Sequence, residues 1–108
     1  MKIELLYFEG CPSYQPALKY LKEVIKENKL DVQVKMVKIA SNEDALKSRF
    51  LGSPTIRIND LDIEPGAQEI GGFSMCCRLY LEDSQLKKYP SKNLIRRAIE
   101  ESLKRTGT

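Results

Sequence analysis

Apolar and polar positions along this chain switch between the period of a strand and the period of a helix. "KIELLYF" (2–8) is apolar on both faces except at Glu4, the pattern of a strand lying centrally in a sheet. Residues 12–29 take the helical period. Ala17, Leu18, Leu21, Val24 and Ile25 form one stripe, with Lys19, Lys22, Glu23 and Lys26 opposite. In "DVQVKMVKI" (31–39), Val32, Val34 and Met36 alternate with Gln33 and Lys35, which predicts a second strand. Strand, long helix and strand make a βαβ unit, so the two strands are expected to be parallel. "SNEDALKSRFLG" (41–52) predicts a short helix. Ser41 and Asp44 make a capping-box pattern, and Gly52 stands where a C′ glycine closes a helix. In "SPTIRINDLDIEPG" (53–66), Ile56 and Ile58 alternate with Thr55 and Arg57, "IND" turns the chain, and Leu61 and Ile63 return as a hairpin. "PGAQEIGGFS" reads as a loop, and 65–75 as the mobile element. Residues 76–82 predict one extra short strand, and "DSQLKKYP" (83–90) a loop. Ser91 is expected to cap a last helix whose shared face carries Leu94, Ile95, Ala98, Ile99, Ser102 and Leu103. No repeat or linker interrupts the chain. The expectation is one α/β domain over 1–108, ordered β-α-β-α-β-β-(β)-α.

Composition narrows the chemistry. A chain of 108 residues with 42% hydrophobic and 31% charged residues can bury one core without staples. Net charge is +3, and the bases are interleaved with acids, as in "LKYLKEVIKENK". That is the pattern of solvated helix faces, so no nucleic-acid partner is expected. The first apolar run is too short for a signal peptide or a membrane span, which predicts a cytoplasmic protein without membrane association. Three cysteines in a reducing compartment argue against a disulfide framework. The absence of histidine removes Cys-His nucleophile pairs, imidazole acid–base catalysis and imidazole metal ligands.

The chemistry then falls to cysteine. Cys11 lies where the first strand hands over to the first helix, between Gly10 and Pro12. At a helix N-terminus, free N–H groups and the dipole favour a thiolate, and Pro12 suits the first helical position. Pro16 also suits a helix starting later, near Gln15, which would leave Cys11 on a loop ahead of it. The bland alternative is a buried structural cysteine. Three residues on, where a dithiol redox protein carries its second cysteine, stands Tyr14. It either donates a phenolic hydrogen bond to the sulfur or covers the site with an aromatic surface. Glu9 reads as a solvated loop carboxylate.

The element order, with "GCPSY" at 10–14 and "GSPT" at 52–55, resembles the thioredoxin-like superfamily over nearly the whole chain. More narrowly, "GCPSY", "FLGSPTIRIN", "DIEPGA" and "CRLY" are similar to the motifs of a small prokaryotic thioredoxin-like family. The resemblance implies a thioredoxin-like βαβ-α-ββ-α fold with a central mixed sheet. It implies a cis peptide before Pro54 and a substrate backbone pairing at Ser53, beside Pro54; Thr55, Tyr14 and Pro12 are the further candidate substrate-binding residues. Tyr14 departs from the dithiol pattern.

The remaining sulfurs are Cys76 and Cys77. Adjacent cysteines rarely bond to each other. On a strand, Cys77, Leu79 and Leu81 share one face, and Cys76, Arg78, Tyr80 and Glu82 the other, so Cys77 is expected to point inward and Cys76 outward. The hairpin 55–64 returns the chain to the Cys11 end of the sheet. That makes Cys77 the first candidate partner of Cys11 and Cys76 the second. The cysteine directly before the arginine of "CRLY" points the same way within the family. The alternative for Cys77 is a core cysteine beside Leu79. The leading expectation is a thiol–disulfide oxidoreductase with Cys11 as nucleophile and Cys77, Cys76 or an external thiol resolving. Its partner would be a protein or small-molecule thiol or disulfide. No bound cofactor is expected, with glutathione as a candidate co-substrate. Competing readings are a soft-metal or metalloid binder using thiolates and a non-catalytic interaction domain.

Overall fold

The computed structural model describes residues 1–64 and 76–106. The segment 65–75, read above as a mobile loop, lies outside the described residues. The chain is mixed α/β. Strand β1 (Ile3–Tyr7) leads into helix α1 (Tyr14–Glu27), strand β2 (Val34–Lys38) and helix α2 (Asn42–Ser48). Strands β3 (Thr55–Ile58) and β4 (Leu61–Asp62), a short hairpin of β5 (Tyr80–Glu82) and β6 (Gln85–Lys87), and helix α3 (Lys92–Thr106) complete it.

Four strands form one mixed sheet in the order β2-β1-β3-β4. β1 is interior, as its two-sided apolar pattern requires. It pairs parallel with β2 (Leu5 opposite Met36) and antiparallel with β3 (Leu5 opposite Ile56). β2 is an edge strand, which explains why its Val–Met alternation buries little: Met36 is exposed. Ile3 and Leu5 face a core shared with Ala17, Leu21, Val24 and Ile25 of α1 and Ile95 and Ile99 of α3. Leu6, on the opposite face, packs with Ile39, Ala45 and Phe50 around α2. Each fully buried Leu, Ile or Phe contributes roughly 1.5–3 kcal/mol of transfer free energy.

Local chemistry sets the element ends. Ser41 Oγ accepts from Asp44 N–H at 3.1 Å, and Ser91 Oγ accepts from Leu94 N–H at 3.1 Å, so both predicted caps are present. Asp44 reaches back to Ala40 N–H at 3.2 Å rather than to the cap residue itself. The β3–β4 turn uses Asn59 and Asp60, both with positive φ, as a two-residue hairpin turn demands. Asp83 and Ser84 do the same for β5–β6, so the expected loop 83–90 is in its first half a hairpin.

Other sequence expectations change as well. α2 closes at Arg49 in the left-handed conformation, not at Gly52. α1 starts at Tyr14 rather than at Pro12. The segment 76–82 presents the opposite face from the one predicted. Arg78 and Tyr80 are buried, while Leu79 and Leu81 are 53% and 62% exposed. Polar partners from β3 and β4 decide this face, as set out below.

Candidate functional site

The residues around Cys11 are arranged by the end of β1. A turn over Phe8–Cys11 closes with Cys11 N–H on Phe8 O at 3.4 Å, and Gly10 at its third position has φ +92°. A left-handed residue there suits glycine. Cys11 follows at the turn's exit, two residues ahead of the Ser13 N-cap of α1. It therefore lies on the loop, as Pro16 allowed, and Pro12 is an exposed loop residue, not the first helical one. The Cys11 side chain is only 3% exposed, and its Sγ donates to Ser53 O at 3.6 Å.

Ser53 links this sulfur to the second cysteine segment. The Ser53–Pro54 peptide is cis. Ser53 N–H donates to Cys76 O at 2.8 Å, and Arg78 N–H donates to Ser53 O at 3.0 Å, forming a parallel bridge between Ser53 and Cys77. The Ser53 carbonyl thus accepts from both Cys11 and Arg78. The expectation that Ser53, Pro54 and Thr55 offer backbone to an extended substrate meets an edge already taken. All three are buried, and the chain's own 76–78 segment pairs at Ser53. The Ser53 hydroxyl is buried without a hydrogen-bond partner among the described residues.

Cys77 and Cys76 exchange their predicted places. Cys77 is exposed and Cys76 half-buried, with Cys76 Sγ directed at Leu51 O at 3.9 Å. The Cys77 thiol is held above the usual thiol range, first by partial loss of solvent and then by the neighbouring Cys11 sulfur. All three cysteines are free thiols.

What fixes the segment is Arg78. Its guanidinium forks onto Asp62 at 2.6 and 2.8 Å, reaches Thr55 Oγ1 at 3.2 Å and Glu64 at 3.4 Å, and lies over the Tyr80 ring at 4.3 Å. Burial alone would lower its pKa, but the hydrogen bond to Asp62 and the surrounding negative charge leave it raised. Tyr80 is fully buried and its hydroxyl donates to Pro54 O at 2.6 Å. Two polar residues that find partners inside therefore displace two leucines to the surface. Gly52, with φ +128°, lets the segment approach: a Cβ there would lie 2.8 Å from Arg78 Cβ and 3.0 Å from its backbone.

The other expected residues have plainer roles. The Tyr14 ring packs on Tyr7 with centroids 4.5 Å apart, an aromatic wall behind the loop. Thr55 Oγ1 donates to Gly52 O at 2.6 Å and braces the Gly52–Thr55 turn. Glu9 is exposed and paired with Lys38 at 3.1 Å. Among the described residues no group of three or more His, Cys, Asp or Glu side chains is gathered for a metal, and no helix is long and apolar enough to cross a membrane. Sequence reasoning missed Asp62, Arg78 and Tyr80 as the residues that hold the cysteine segment. The signal was an arginine inside an apolar strand, with acids on the neighbouring hairpin. No protein-family model matches the chain, and comparison with curated proteins and with solved structures returns no match.

Proposed function

We propose that this chain is a thioredoxin-like thiol–disulfide oxidoreductase whose redox couple is Cys11 and Cys77. One observation carries the reading: the two cysteines, remote in sequence, are brought to Ser53, Cys11 by its sulfur on the Ser53 carbonyl and Cys77 by the backbone bonds its neighbours Cys76 and Arg78 make to Ser53. The Cys77 thiol feels the Cys11 sulfur as a neighbour. Further support is the mixed sheet with β1 in its interior and the cysteine at the end of that strand. In this reading the sulfur that the Tyr14 position lacks is supplied by the 76–78 segment. Oxidation of the couple removes two electrons and two protons and closes a roughly 65-residue loop, which the chain-entropy model values at about 4 kcal/mol of stabilisation. Reduction of an aromatic disulfide with dithiothreitol as electron source tests this. The native chain turns over, and Cys11→Ser and Cys77→Ser each reduce the rate to background. If both variants keep the native rate, the chain is not a Cys11–Cys77 oxidoreductase and the non-catalytic interaction domain takes its place.

A further inference from the structure

We propose that Cys77, not Cys11, is the sulfur that meets the substrate, and that the substrate is a low-molecular-weight disulfide rather than an extended polypeptide. The proposal rests on the reading of Cys11 and Cys77 as one couple and assigns the order in which they act. Access decides it. Cys11 is 3% exposed and turned onto the Ser53 carbonyl, whereas Cys77 is exposed. A disulfide in solution therefore reaches Cys77 without any rearrangement. The backbone decides the substrate class. A polypeptide pairing at Ser53 would have to displace the Ser53 N–H to Cys76 O and Arg78 N–H to Ser53 O bonds. It would also have to lift a segment anchored by a buried arginine on Asp62. A small disulfide needs neither.

The steps balance. The Cys77 thiolate attacks one sulfur of the external disulfide, forming a mixed disulfide and releasing one thiolate, which takes up the proton Cys77 lost. The Cys11 thiolate then attacks the Cys77 sulfur and expels the second external thiolate, which takes up the Cys11 proton. One disulfide is reduced to two thiols, and the Cys11–Cys77 dithiol is oxidised to a disulfide. The environment of Cys77 favours this outcome of the second step. Cys77 is the sulfur that the Ser53 bridge holds beside Cys11, so Cys11 attacks it and the external thiol departs. The Cys77 thiol is held above the usual range, so the first attack steepens with pH through and beyond the ordinary thiol range.

The test uses full-length Cys11→Ser and Cys77→Ser proteins, both also carrying Cys76→Ala, mixed with oxidised glutathione, quenched in acid and mapped by mass spectrometry. The first is expected to take up glutathione at Cys77 and hold it. The second is expected to react at Cys11 at least ~10-fold more slowly, since exchange follows access to the sulfur. Alkylation of the native reduced chain gives a reading free of any substitution, and Cys77 should be modified before Cys11. Equal or faster reaction at Cys11, or no adduct on Cys77, overturns the order. Faster oxidation of the native chain by an unfolded disulfide-bonded polypeptide than by oxidised glutathione overturns the substrate class. The underlying couple fails separately: the native chain would then keep glutathione on Cys77 and never close the Cys11–Cys77 bond.

Discussion

Replacing Arg78 with methionine keeps the unbranched stem of the side chain and removes the guanidinium with its charge and hydrogen bonds. The Asp62 side chain, 1% exposed, would keep its bond from Glu64 N–H at 2.8 Å but lose both guanidinium bonds and face an apolar group. Breaking a buried ion pair by removing one partner costs about 3–5 kcal/mol, because the surviving charge stays desolvated. Here the pair is bidentate, and the guanidinium also serves Thr55 and Glu64, which places the variant toward the upper end. For a domain whose total stability is about 5–15 kcal/mol, that is a large share. With a urea m-value of roughly 1.5 kcal/mol per M, the midpoint should fall by about 2–3 M at unchanged slope. Asp62→Asn should fall by a comparable amount. A double variant, Arg78→Met with Asp62→Leu, should be less destabilised than the sum of the two, since no charge is left buried. The 76–78 segment loses its anchor in Arg78→Met, so the Cys11–Cys77 bond should also close more slowly under mild oxidation. A midpoint within about 0.5 M of the native chain, or strict additivity in the double variant, would refute the assignment of Arg78 as the anchor.

Other consequences follow from the same contacts. Gly52→Ala combines a left-handed φ with a Cβ 2.8 Å from Arg78 Cβ, so it should cost about 2–4 kcal/mol in a urea melt; a change under about 0.5 kcal/mol would contradict the close approach. Burial, aided by Asp62 and Glu64 and opposed by Arg78, holds the Tyr80 phenol above its usual range. A folded pKa above the unfolded one means stability present below about pH 10 and lost as pH rises further, so the advantage of the native chain over Tyr80→Phe should shrink above pH 10. Parallel urea midpoints for the two proteins across that range would count against it. Oxidised protein should unfold at higher urea than reduced protein, by about 4 kcal/mol in the chain-entropy model, and dithiothreitol should reverse the gain.

Much of the fold was legible because local pattern decided it. The two-sided apolar run of β1, the stripe of α1, the serine caps at 41 and 91 and the Asn59–Asp60 turn all needed only their neighbours in sequence. The placement of Cys11 at the end of β1 was legible for the same reason. Its exact relation to α1 was not, since Pro12 and Pro16 both fit a first helical turn and only the backbone path chooses between them. The face that 76–82 buries was not legible. An alternation rule sends Leu79 and Leu81 inward, but it has no knowledge of Asp62, Glu64 and Thr55 waiting on another hairpin for Arg78. Gly52 looked like a helix terminator and turned out to make room for a segment more than twenty residues away. The occupied backbone of Ser53 is a non-local fact of the same kind.

Whether Cys11 and Cys77 form one couple is decided by peptide mapping with mass spectrometry after mild oxidation, without reduction. A single linked pair of peptides joined through Cys11 and Cys77, lost on treatment with dithiothreitol, is expected. Recovery of Cys11 as a free thiol, or joined only to Cys76 or to an external thiol, would contradict it.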